Sequence, residues 1–119
     1  MDPGSSLAEH RVAVLQLLRL LRLIDVRAGV RNSRIAFDVA MLFYEAAIAE
    51  PAGSLSVDQI AAATGYSGPT VRLVLKRLLV AEVIAPGRRV GKTQLYAMTP
   101  KGVEGFDGYV EAIVAFKVP

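Results

Sequence analysis

A chain of 119 residues with 53% hydrophobic but only 7% aromatic content holds the material for one aliphatic, helix-favouring domain with a real core. It has no cysteine and a single histidine, His10, which excludes disulfide scaffolds, thiol catalysis and cysteine or two-histidine metal sites within the chain. The net charge of +3 is unevenly spread: between Gly65 and Lys92 six basic residues face Glu82 alone, whereas between Asn32 and Ile60 only Arg34 opposes Asp38, Glu45, Glu50 and Asp58. A local positive field of that kind suits an anionic partner.

Met1 to Ser6 read as a frayed tail, and Leu7 to about Arg27 as one long helix. At 100° per residue Val14, Leu17, Leu20, Leu21 and Ile24 gather on one side, while Val12, Leu15, Leu18, Leu23 and Val26 interleave with Gln16, Arg19 and Arg22 on the other. A helix apolar around most of its circumference is buried in its own domain or covered by another chain, and a partner chain is the expectation here. The run is too short and too often interrupted for a membrane span, and no secretory signal pattern precedes it, so a soluble, cytoplasmic protein is expected.

Ala28-Gly29-Val30-Arg31 breaks the first helix, and Asn32 or Ser33 can cap a second from Arg34 to about Ala49, with Arg34 and Asp38 spaced to pair at i,i+4. Phe37, Met41, Phe43 and Tyr44 either line a ligand cavity or fill the core, and core filling is expected. After the turn at Pro51-Ala52-Gly53-Ser54, Ser56 and Gln59 have the capping-box spacing of a third helix, kept thin by Ala61, Ala62 and Ala63.

The turn Thr64-Gly65-Tyr66 leads into a fourth helix, capped by Ser67 with Pro69 in its first turn. On that helix Val71, Val74, Leu75 and Leu78 form the buried face, with Pro69, Thr70, Leu73, Lys76 and Arg77 roughly opposite and Arg72 at the flank. Two short helices around a glycine turn, the second basic, are the pattern of a helix-turn-helix that enters the DNA major groove. Ser67, Gly68, Pro69, Thr70, Arg72 and Leu73 lie near the reading end; Arg72 suits a bidentate guanine contact and Leu73 a thymine methyl. Lys76 and Arg77, farther along, suit phosphates.

Val83-Ile84-Ala85 and Thr93 to Met98 read as two strands, with Pro86 and Gly87 opening the loop between them and Arg88, Arg89 and Lys92 at its tip. A basic hairpin tip suits a minor groove or its flanking phosphates. Thr99-Pro100 opens a last helix with an apolar stripe of Val103, Phe106, Val110 and Ile113. Gly102, Gly105 and Gly108 either weaken that helix or let another backbone approach closely.

Leu55-Ser56, Ile60-Ala61, Thr64-Gly65, Ser67 with Thr70-Val71, Leu75, Leu78, Val83-Ile84, the basic wing and Thr99-Pro100-Lys101-Gly102 together resemble the MarR-like winged-helix transcription regulators. Two departures stand out: Glu82 occupies the place where such regulators carry glycine before the first wing strand, and Arg88-Arg89-Val90-Gly91-Lys92 replaces an Asp-x-Arg element. The resemblance implies a homodimer joined through its terminal helices on a palindromic operator, its interface drawn from Val14, Leu17, Leu20, Leu21, Ile24, Phe106, Val110 and Ile113.

The expected fold is mostly α with a small β-hairpin wing: an N-terminal tail and dimerisation helix over 1–31, a winged helix-turn-helix over 32–99, and a C-terminal helix over 100–119. Expected partners are double-stranded DNA and a second copy of the chain, with room for a small-molecule effector and with no cofactor, metal or membrane. An enzyme is not expected, since the chain has no nucleophile elbow, P-loop, metal-ligand cluster or paired catalytic carboxylate. The rival is a winged helix serving as a protein-interaction module, which the basic Gly65–Lys92 segment disfavours.

Overall fold

The computed structural model describes residues 3–31 and 33–116, with side chains from Ala8 onward. Five helices, α1 (Pro3–Arg27), α2 (Arg34–Ile48), α3 (Val57–Thr64), α4 (Gly68–Val80) and α5 (Pro100–Ala115), surround one antiparallel hairpin, β1 (Ile84–Val90) and β2 (Thr93–Met98). This is a winged helix with an added helix at each end. The first helix starts earlier than expected, taking in residues 3–6 that had read as a tail.

The helix starts follow from local chemistry. Ser33 caps α2 by accepting the Ala36 amide at 3.0 Å; Asn32, the alternative cap, lies outside the described residues. Ser56 and Gln59 close a reciprocal capping box on α3, and Ser67 and Thr99 cap α4 and α5 with a proline in the first turn of each. Helix α1 ends where Gly29 turns left-handed, at φ 77°, and the amides of Val30 and Arg31 both donate to the Asp25 carbonyl at 3.0 Å.

The core is built by matching stripes. Ala36, Val39, Ala40 and Phe43 on α2 meet Val71, Val74, Leu75 and Leu78 on α4, each set spaced 3, 1, 3 along its helix, with Ile60 of α3 and Val83-Ile84 closing the bottom. Phe43 is fully buried, so core filling is its role; Met41 is exposed and Phe37 and Tyr44 pack against Phe106. The pairing expected between Arg34 and Asp38 does not form. Asp38 instead accepts the Tyr66 hydroxyl at 2.5 Å, a neutral donor that brings the α3–α4 turn onto α2.

The glycines of α5 are a close-approach surface. A Cβ on Gly105 would stand 2.7 Å from the Arg27 carbonyl oxygen, and one on Gly102 would overlap that of Val83. Helix α5 therefore packs through Gly102, Gly105, Phe106 and Gly108, which are buried; of the anticipated stripe, Phe106 and partly buried Val103 reach the core, while Val110 and Ile113 remain exposed. Where α1 crosses this surface, the Tyr109 hydroxyl donates to buried Asp25, and Tyr44 of α2 donates to Asp107 of α5 at 2.6 Å. Burial and the Asp25 bond push the Tyr109 phenol above its ordinary pKa; the Asp107 bond pushes Tyr44 up to about 12.

Two residues expected at a subunit interface are thereby accounted for differently. Ile24 is 5% exposed and Phe106 4%, because the glycine surface draws both into the chain's own core. No helix among the described residues is long and apolar enough to cross a membrane.

Candidate nucleic-acid interface

The helix-turn-helix is held by a compact set of bonds. Gly65 ends α3 at φ 78°, a left-handed conformation that glycine adopts without cost, and its amide donates to the Ala61 carbonyl. The Thr64 hydroxyl donates to the Ile60 carbonyl at 2.8 Å and accepts the Tyr66 amide at 3.2 Å, so the turn is bonded on both sides. Only Ala61 of the three alanines packs against the core; Ala62 and Ala63 face outward.

From that turn α4 presents the face read from its sequence. Ser67, Pro69, Arg72, Leu73, Lys76 and Arg77 are exposed, Gly68 and Thr70 are partly so, and Leu73 keeps 53% of its surface in solvent. The Ser67 hydroxyl donates to Thr70 Oγ1 at 2.9 Å while accepting the Thr70 amide. The Arg72 guanidinium folds back along the helix: a Cβ on Gly68 would lie 3.3 Å from its Nη1. Its charge thus sits over the first turn of α4, the end of a recognition helix that meets base edges.

The wing differs from the expected hairpin. Strand β1 runs on through Pro86 to Val90, and the pairing shifts by one residue between Pro86 and Arg89, so that Gly87 and Arg88 oppose Leu95 alone. This is a β-bulge, and the Gln94 side chain satisfies it by donating to the Gly87 carbonyl at 2.9 Å. Gly91 and Lys92 form the turn, with Gly91 at φ 63°. Arg88 and Arg89 therefore lie along the strand rather than at the tip, and Lys92 occupies the tip; all three are exposed. The expected strand ended at Ala85 with Pro86 and Gly87 opening the loop; β1 instead runs through Pro86, whose missing ladder donor is tolerated on an edge strand. At the other edge Leu55 and Tyr96 exchange two backbone bonds of 2.8 and 2.9 Å, fastening the wing to the start of α3.

Glu82, just before β1, adopts φ 61°. The position is left-handed, which is why glycine suits it. Here the Glu82 carbonyl accepts the Thr99 hydroxyl at 2.6 Å and the carboxylate lies 3.5 Å from Lys101 Nζ. Two further basic residues, not assigned to the interface from the sequence, are exposed beside α2. Arg31 and Arg34 flank the start of α2, and Arg34 lies near enough to Tyr66 for its charge to act on the phenol. The signal was hidden because Arg34 was matched with Asp38.

A fold of this kind, with an exposed basic helix and wing, defines the class: the chain has the MarR-like winged-helix fold. It is similar to MepR of Staphylococcus aureus in complex with DNA, with 14% identity, a TM-score of 0.71, and coverage of 87% of this chain and 81% of that one. TubR bound to 24 bp of tubC, from Bacillus thuringiensis serovar israelensis pBtoxis, is similar at 25% identity and TM-score 0.58, covering 73% of this chain and 90% of that one. A structure of the type III plasmid segregation protein TubR matches at 28% identity and TM-score 0.58, covering 76% and 84%. No protein-family model and no curated protein matches the chain.

Proposed function

We propose that the protein is a non-enzymatic regulator that binds double-stranded DNA sequence-selectively as a homodimer, with α4 in the major groove and the β1–β2 wing on the minor groove or backbone. The observation that carries this reading is the exposed run from Ser67 to Lys92, where six basic residues face one acid on the elements that a winged helix offers to DNA. In the dimer, Val14, Leu17, Leu20, Leu21, Val110 and Ile113 meet a second copy; Val14, Leu20, Val110 and Ile113 are already 39–57% exposed in the single chain. The fold neighbours captured on DNA, MepR and TubR, support the partner class. Selection of bound sequences from random duplexes, followed by salt-titrated binding, tests the reading. An enriched motif bound far more tightly than random DNA is expected, and equal binding to both would overturn selectivity.

A second reading concerns the use of the DNA complex rather than its chemistry. Of the neighbours described, TubR is the more similar in sequence, and it is a plasmid segregation protein. A reporter driven from the selected site separates the two: regulation changes expression at a single site, whereas a segregation role stabilises a plasmid carrying the site without changing expression.

A further inference from the structure

Between the end of α1 and the start of α2 lies a cavity of about 270 Å³, lined by Arg22, Asp25, Val30, Arg31, Ser33, Arg34 and Phe37. Three guanidinium groups and one carboxylate share it. Asp25 already accepts from Tyr109 and lies 3.4 Å from Arg22, so its charge is engaged on the inner wall. Arg31 and Arg34, by contrast, form no ion pair among the described residues, and both are exposed at the rim. Arg31 is held there by a left-handed backbone at φ 47°. Each guanidinium without an ion pair presents a planar fork of donors matched to an oxyanion.

The location narrows the source of that anion. Tyr66, in the turn of the helix-turn-helix, donates its hydroxyl to Asp38, one helical turn beyond Arg34 on α2. The Arg34 side of the pocket thus lies one helical turn along α2 from the bond that brings that turn onto the helix. We propose that this pocket is an oxyanion site, and that the anion it takes is a backbone phosphate flanking the groove that α4 enters. The inference rests on the DNA-binding reading for the source of the phosphate, while the site's affinity for an oxyanion stands apart from it.

The test has two arms. In the first, thermal unfolding of the unmodified protein is compared in sodium sulfate and in sodium chloride at equal ionic strength. Sulfate raises midpoints generally through exclusion from protein surfaces, so the site reads out as an additional rise that saturates at low sulfate concentration, and Arg31→Ala/Arg34→Ala should remove that saturable part alone. In the second, the double variant should bind selected and random DNA more weakly alike, with the slope of log affinity against log salt reduced by about 0.9 per pocket, or about 1.8 in a dimer. Arg31→Lys/Arg34→Lys keeps the point charges and should retain most of that slope, which separates charge from any change in folding. A saturable sulfate response with an unchanged salt slope would overturn the DNA phosphate and assign the pocket to a free anion. No saturable rise and no change of slope would overturn the site. If the unmodified protein binds no DNA, the DNA-binding reading fails with the phosphate assignment, and the sulfate arm alone decides the pocket.

Discussion

Glu82 shows how a single backbone angle constrains residue choice. A side chain at φ 61° sets Cβ against the following carbonyl, at about 1–2 kcal/mol relative to a right-handed conformation. Glycine avoids that cost but loses about 0.5–1 kcal/mol through the flexibility of its unfolded chain. Glu82→Gly is therefore expected to leave stability unchanged or raise it by about 1 kcal/mol in urea titration, and a clear loss would show that the Lys101 contact matters more than the angle. The tyrosines carry a second residue-scale prediction. The bond to Asp107 pushes Tyr44 from an ordinary 10.0 up to about 12, and Tyr109 is shifted the same way. A group whose folded pKa is raised contributes stability that is complete below the ordinary value and is lost as pH rises through the folded one. The urea midpoint should fall between pH 10 and about 12, and Tyr44→Phe with Tyr109→Phe should flatten that fall. A profile unaltered by both changes would sink the assignment.

At the scale of elements, α4, the wing and α5 divide the labour. Arg72 sits over the first turn of α4, so Arg72→Ala should narrow the gap between selected and random DNA, by about 1–3 kcal/mol if it grips a guanine with both nitrogens. Lys76→Ala should weaken both kinds of DNA alike, because a phosphate carries no sequence. Arg88 and Arg89 lie along β1 beside a bulge, and their joint replacement by alanine should lower the salt slope by up to about 3.6 in a dimer while leaving folding intact. Helix α5 is governed by packing. Gly105→Ala introduces a methyl 2.7 Å from the Arg27 carbonyl oxygen, an overpacking that costs about 1–3 kcal/mol against the smaller gain from a better helix former. Thermal denaturation should show a net loss, with the α1–α5 contact loosened. A more stable Gly105→Ala protein would mean that α1 sits farther away.

At the scale of the molecule, the chain is elongated. The radius of gyration is 17.1 Å, against about 13.5 Å for a compact domain of this length, and the long axis reaches 61 Å against 25–26 Å across. Helix α1 projects as an arm whose Val12, Leu15, Leu18 and Leu20 are 45–68% exposed. Covering such side chains is worth about 1.5–3 kcal/mol each when complete, enough in sum to hold a dimer. Leu20→Glu with Ile113→Glu changes residues that are exposed in the single chain, so sedimentation should show folded monomers where the unmodified protein is expected to sediment as a dimer. A dimer that survives both changes would place the interface elsewhere. Ile24→Glu, by contrast, should unfold the chain, since that side chain is already inside.

Much of this architecture was legible in the order of residues alone, and the reason is range. The caps at Ser33, Ser56, Ser67 and Thr99 and the buried faces of α2 and α4 each depend on residues three or four positions apart, and so does the solvent face of α4. A linear reading sees that spacing directly. What only the tertiary structure decided depends on which distant surfaces meet. Gly102, Gly105 and Gly108 were ambiguous until Val83 stood against the first and α1 with its C-terminal end lay across the other two. Arg34 had a plausible neighbour in Asp38 until Tyr66, twenty-eight residues from that carboxylate, took it. Pro86 read as a strand end until an edge position and the Gln94 side chain made a bulge acceptable. Periodicity names the face an element will bury, but competition between distant partners settles what is buried against it, and which charges remain for a ligand.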